Sequence, residues 1–115
     1  MSNSKINRIQ QKIKAAEILI EAELYLEAAL LYWQASRDSI FCWLTNKKME
    51  FNSTNEALMQ ILSMLDDKIG TRVIQIEIIG TLAEWDEFFE ISEEQMVDFK
   101  NMCISVLKVL EYGNN

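Results

Sequence analysis

The chain has 115 residues, 50% of them hydrophobic and 25% charged, with a formal net charge of −7. That length holds one core but not two, so residues 1–115 read as a single domain, and the composition is globular rather than disordered. Proline is absent and the glycines are three, Gly70, Gly80 and Gly113, which excludes many-cornered sandwiches and barrels and leaves helices joined by short polar connections.

A first helix is predicted from about Ser4. Ile6, Ile9, Ile13, Ala16 and Ile20 step by three or four residues and share one face, while Lys5, Lys12 and Lys14 point elsewhere. The apolar pattern runs on through Leu24, Ala28, Leu31 and Ala35 to Thr45 with no Pro or Gly to break it. About forty helical residues would extend roughly 60 Å, too long for a domain of this size. A bend or short turn is therefore expected between Glu21 and Leu24. The second helix, residues 24–45, adds Leu30, Trp33, Phe41 and Leu44 outside the main stripe, the pattern of a central helix packed on several sides.

Residues 46–53 form a polar linker. Ser53 and Glu56 have capping-box spacing, which predicts a third helix carrying Leu58, Ile61, Leu62, Leu65 and Ile69, with Gly70 as its stop. Residues 72–79 are rich in Val and Ile, as a strand would be. A lone strand would have only a copy of itself to pair with, so helix is expected there. Ser92 and Gln95 repeat the capping-box spacing and open a last helix through Met96, Phe99, Cys103, Val106 and Leu110, ending near Gly113.

Charge is unevenly placed. Lys5, Arg8, Lys12 and Lys14 precede the first acid, Glu17, whereas Glu84, Asp86, Glu87, Glu90, Glu93, Glu94 and Asp98 follow one another without a base. A net charge of −7 argues against non-specific attraction to nucleic acid. Cys42 and Cys103 sit in helical patterns and make no disulfide framework. The polar start offers no signal segment and no run is long enough for a membrane span, so a reduced, cytoplasmic setting is expected.

Histidine is absent. That removes the commonest general base, the commonest metal ligand and every Ser-His or Cys-His arrangement. Glycine-rich phosphate loops are missing as well. Glu84, Glu87 and Asp98 are oxygen donors suited to a hard cation such as Mg²⁺, but acids at a helix start also favour the helix dipole without any ligand, and a solvated face is the expectation. Arg37 and Asp38, set in the most apolar helix, are the candidate catalytic pair; a polar seam is the simpler account. Cys42 has no base beside it and reads as a core residue. Trp33, Trp43 and Trp85 lack a basic groove and read as core or interface anchors. No cofactor is expected. Leu30, Trp33, Ile40, Phe41 and Trp43 lie around much of the second helix and predict a homodimer interface, unless the other helices cover every face of it.

The segment Glu21 to Leu44, EAELYLEAALLYWQASRDSIFCWL, resembles the first half of the HEPN family (higher eukaryotes and prokaryotes nucleotide-binding). Tyr25, Ala28, Ala35, Ile40 and Leu44 stand at matching places after the approach Ala15-Ala16-x-x-Leu19. The later half agrees in outline, with a leucine-rich third helix, a weaker fourth and a capped last helix from Ser92 to Leu110. The resemblance implies an all-α, up-and-down bundle of four or five helices that often forms a two-fold dimer. Many members are toxin ribonucleases or partners of small nucleotidyltransferases in toxin–antitoxin pairs. The ribonuclease members use an Arg followed several residues later by a His, and here no His follows any Arg, so that motif carries over to no residue. The expected function is a non-catalytic interaction module of a toxin–antitoxin or defence system, acting through dimerisation with a protein partner encoded nearby. Two alternatives remain: a HEPN-type ribonuclease or nucleotide-processing enzyme with a non-standard site around Arg37 and Asp38, and an acidic immunity or inhibitor protein that mimics nucleic acid.

Overall fold

The computed structural model describes residues 3–111, which form five helices: α1 (Asn3–Glu21), α2 (Tyr25–Asn46), α3 (Thr54–Met64), α4 (Asp67–Trp85) and α5 (Glu93–Val109). Among the described residues there is no strand, and 72–79 are helical, inside α4. Among the described residues no helix is long and apolar enough to cross a membrane. The arrangement is an all-α bundle organised around α2, which α1, α3, α4 and α5 all contact. Helix α1 touches no other helix backbone, whereas α4 also meets α3 and α5.

The sequence of α2 explains its central place. Ala28, Ala29, Ala35, Ser36 and Ser39 are fully buried and small enough for neighbouring helices to approach closely, and Tyr32, Trp33, Ile40 and Leu44 fill the space between them. The two buried serines need acceptors, and each finds one within its own helix: Ser36 Oγ donates to the Tyr32 carbonyl at 2.8 Å and Ser39 Oγ to the Ser36 carbonyl at 2.7 Å. Burial also corrects the expected interface. Trp33 and Ile40 are each only 2% exposed, covered by the chain's own helices, while Leu30, Phe41 and Trp43 are half-buried. Phe41 packs on Phe51 of the following loop, ring centroids 5.0 Å apart, and Lys47 lies 4.9 Å over the Trp43 ring. The aromatic face of α2 is thus largely the core of one chain.

The expected turn falls between Glu21 and Leu24. Glu23 takes a left-handed conformation at φ 62°, Glu23 N donates to the Ile20 carbonyl at 2.9 Å, and Leu24 N donates to the Leu19 carbonyl at 2.8 Å. This is the Schellman pattern, with glutamate where glycine is usual. The same device ends α2: Lys48 has φ 58°, and Met49 N donates to the Leu44 carbonyl at 3.0 Å.

Gly70 is not a stop. Helix α3 ends at Met64, Leu65 and Asp66 are extended, and the Asp66 carboxylate accepts from Ile69 N at 3.0 Å, so Gly70 lies in the opening turns of α4. The Ser53 cap forms, its Oγ accepting from Glu56 N at 3.1 Å, but the Glu56 carboxylate reaches back to Asn52 N rather than to Ser53. At Ser92 both arms of the capping box are present, at 3.2 and 2.9 Å. Helix α5 closes at Val109, and the stop expected near Gly113 lies outside the described residues.

Gly80 is where α4 meets α2. A Cβ built there would sit 2.4 Å from Cδ2 of the Trp33 indole, inside its contact distance. Gly70 has no such neighbour; its Cβ would meet only Leu62 Cδ2, at 3.4 Å. Chemical denaturation should separate the two. Gly80→Ala is expected to lose roughly 1–3 kcal/mol through overpacking, despite its better helix propensity. Gly70→Ala should be neutral or gain up to about 1 kcal/mol. Glu23→Gly should stabilise by about 1 kcal/mol, because it relieves the left-handed strain while keeping the Schellman bonds.

Candidate functional site

Among the described residues three part-buried ion pairs tie helix to helix, and the two candidate catalytic residues belong to different ones. Asp38 points at α1 and receives Lys12 Nζ at 2.5 Å. Arg37, one position earlier and so turned about 100° around the helix, points at α4, where its Nη1 stands 3.6 Å from Glu84 Oε2. Its guanidinium also lies 5.6 Å from the Trp33 ring centroid. Neighbours in sequence, they are not neighbours in space. Each neutralises a charge on another helix, which is the geometry of a polar seam.

The third tie was not foreseen from the sequence. Glu17 of α1 receives the Tyr32 hydroxyl at 2.5 Å and Lys100 Nζ at 2.7 Å, joining α1, α2 and α5. Burial raises the Glu17 carboxyl pKa, but the hydrogen bonds from Lys100 and Tyr32, with the Lys100 charge, outweigh it and leave the pKa below its ordinary value. Burial pushes the Tyr32 hydroxyl well above the usual tyrosine range, and the carboxylate that accepts its proton adds to the effect. A tyrosine held so firmly protonated donates and does not act as a base. The signal for this tie was the residue types alone, since Glu17 and Lys100 are 83 positions apart.

Glu84, Glu87 and Asp98 do not converge. Glu84 is paired with Arg37, Glu87 lies in the loop after α4, and Asp98 is on α5. Among the described residues no three His, Cys, Asp or Glu side chains are grouped to hold a metal ion. Both thiols are buried. Burial raises the Cys42 thiol pKa, opposed by Lys5 and assisted by Asp38, and burial pushes Cys103 up to about 12 against a hydrogen bond with Ser36. Neither is a thiolate near neutral pH. Lys5 and Arg8 border a cleft of about 230 Å³ floored by Ile9, Phe41 and Cys42, with the Lys12–Asp38 pair at its edge.

The large unpaired surface lies on α4. Ile74 is 47% exposed, Ile78 52%, Leu82 39% and Trp85 79%, and Phe88 follows at 83%. Spaced by four, four and three residues, the four helical members form one stripe. Beside it runs a cleft of about 310 Å³ between α3 and α4, lined by Leu58, Met59, Leu62, Val73, Ile74 and Glu77. Residue type marks Trp85 as a possible anchor, but does not reveal the stripe it terminates.

The Glu17 tie has a pH signature. A carboxyl whose pKa is depressed on folding stabilises fully above its unfolded pKa, and the contribution is lost as pH falls through the folded value. Lys100→Met should therefore shrink the loss of stability between neutral pH and pH ~3, measured by urea unfolding at both. Tyr32→Phe should cost about 1–2 kcal/mol at neutral pH through the lost hydrogen bond to a charged group.

No protein-family model matches the chain, and no curated protein matches it.

Proposed function

We propose that the chain is a non-catalytic helical interaction module of the HEPN type, a component of a toxin–antitoxin or defence system that works through its surface and not through chemistry. The observation that carries this reading is the apolar stripe Ile74–Ile78–Leu82–Trp85 on α4, which stands in water although the same chain buries Trp33, Ile40 and Leu44 completely or nearly so. Contiguous apolar surface ending in an exposed tryptophan is costly to leave solvated and is typical of contact sites. The placement of Arg37 and Asp38 supports the same reading. Each half-buried side chain pairs with a charge on another helix, which gives both a structural role. The resemblance over residues 21–44 supplies the family and the system.

Two sets of variants test it, in a host-growth assay with the neighbouring genes co-expressed. Ile78→Lys is expected to abolish the chain's effect, and Asp38→Asn to spare it. Turnover of RNA or of nucleoside triphosphates by the purified protein, lost in folded Arg37→Ala, would overturn the reading in favour of an enzyme. A partner that is basic, and whose binding weakens steeply with salt but is indifferent to Ile78→Lys, would place the contact on the acidic run instead.

A further inference from the structure

We propose that the cleft between the start of α1 and the last turns of α2 binds a small aromatic carboxylate, its acid group held by Lys5 and Arg8 and its ring laid on Ile9, Phe41 and Cys42. The site is separate from the α4 stripe and does not rest on the proposed interaction module. The cleft has a volume of about 230 Å³ and is lined by Lys5, Arg8, Ile9, Asp38, Phe41 and Cys42. Pockets that take drug-sized ligands usually hold about 300–1,000 Å³. A cleft below that range fits one ring with one acid group.

The rim is cationic because its acid is already engaged. Asp38 accepts from Lys12, so its charge is matched within the fold. Lys5 and Arg8 are both exposed, and among the described residues neither has an ion-pair or hydrogen-bond partner. Three residues apart on α1, they stand side by side on one face, with Cβ atoms about 5–6 Å apart. One carboxylate can take both heads, the guanidinium offering a two-pronged fork and the ammonium a point charge. The Lys5 charge also opposes the rise that burial imposes on the Cys42 thiol, in keeping with an ammonium that faces α2 across the cleft. A chain of net charge −7 repels anions at a distance. Screening confines such fields to about 8 Å at physiological salt, so the two unpaired cations govern the cleft itself.

The floor requires an apolar body on the anion. Ile9 is 1% exposed and Cys42 8%, and the Phe41 ring is braced by Phe51 at a centroid distance of 5.0 Å. A flat ring gains from contact with another ring and from a sulfur neighbour. A bare ion such as phosphate would leave this floor in water, and a neutral ring would leave the two cations unmatched. Two other clefts have the opposite character. The one between α3 and α4 carries Glu77, the one beside the α1–α2 turn carries Glu23, Glu27 and Glu90, and neither is lined by a cation.

Benzoate is the probe, titrated into the purified, isotopically labelled full chain with backbone amide shifts as the readout. At low salt the shifts should concentrate in residues 5–9 and 38–42, which border the cleft. They should saturate with a dissociation constant of about 0.1–1 mM, as fits a ligand of this size. Benzamide, which lacks the charge, and acetate, which lacks the ring, should each bind at least about tenfold more weakly. Arg8→Gln and Lys5→Gln should each weaken benzoate binding about three- to tenfold. Lys14→Gln, on the opposite side of α1, and Ile78→Lys should bind it as the parent chain does. All four substituted side chains are exposed, and circular dichroism should show each variant fully helical. Raising the salt to about 0.5 M should weaken binding severalfold. Benzoate that shifts no amide of the cleft at concentrations well above that range overturns the proposal. So does acetate or benzamide that matches it, or binding that both Arg8→Gln and Lys5→Gln leave unchanged. An RNA oligomer that shifts the same amides and displaces benzoate at far lower concentration overturns it in favour of a polyanion surface.

Discussion

The contact between the Trp33 indole and Gly80 fixes how the two longest-reaching helices of the bundle approach each other. Three atoms of the ring stand 2.4–2.9 Å from where a Cβ at residue 80 would lie, so the indole occupies the space of a side chain there. That approach draws α4 down onto α2, brings Glu84 within reach of Arg37, and seals Trp33 so completely that its Nε1 finds no acceptor among the described residues. A buried donor without a partner costs about 1–3 kcal/mol. The packing of the indole against α2 and α4, with the guanidinium of Arg37 alongside, has to outweigh that cost. With α4 committed on this side by Val73, Ile76, Gly80 and Ala83, its opposite face is left to carry Ile74, Ile78, Leu82 and Trp85. The exposed stripe is therefore a geometric consequence of the way the core is closed.

What could be read in advance depended on where the physical signal was local. Helix starts were legible because a serine with an acid or amide three residues on satisfies backbone donors within four residues, and both Ser53 and Ser92 behave so. Helix ends were legible only by indirect signals: the length of an unbroken helix against the size of the domain placed the turn at Glu21 to Leu24, and the polar run 46–53 placed the end of α2, whereas the end of α3 was missed. The chain uses Glu23, Lys48 and Glu111 in the left-handed conformation that glycine usually supplies, so the C-termini of α1 and α2 carry no residue-type signature. Both glycines within the described residues lie inside α4, one of them for the close approach just described. A rule that takes glycine as a terminator misplaces the α3–α4 boundary for that reason, although Asp66 was available as a cap.

The surface was harder still. Helices α2 and α4 are both apolar around much of their circumference, and periodicity alone cannot say which is wrapped by neighbours. The small residues of α2 admit four helices around it, which puts Trp33 and Ile40 inside. Helix α4 sits at the edge, where the same kind of sequence leaves large side chains outside. The ion pairs followed a similar logic. Arg37 and Asp38 were recognisable as charges in an apolar helix, but their partners lie on α4 and α1, and only the packing determines who those partners are.

The tie between Glu17 and Lys100 bears on how the chain reaches its fold. Helix α1 lays its backbone against α2, its neighbour in sequence, across a turn of three residues, and reaches α5 through the Glu17–Lys100 bond, so the α1–α2 hairpin closes a short loop and assembles from local contacts. Helix α5, by contrast, must return across more than half the chain to lie against α2, and its side-chain bond to α1 spans 83 positions. The entropy of closing that loop falls on the last helix. Its two-armed cap and its unbroken apolar stripe, Met96 to Leu110, give α5 strong local definition before it docks. The order of assembly is thus written into the topology: an early hairpin at one end of the chain, and at the other a pre-formed helix whose arrival completes the core.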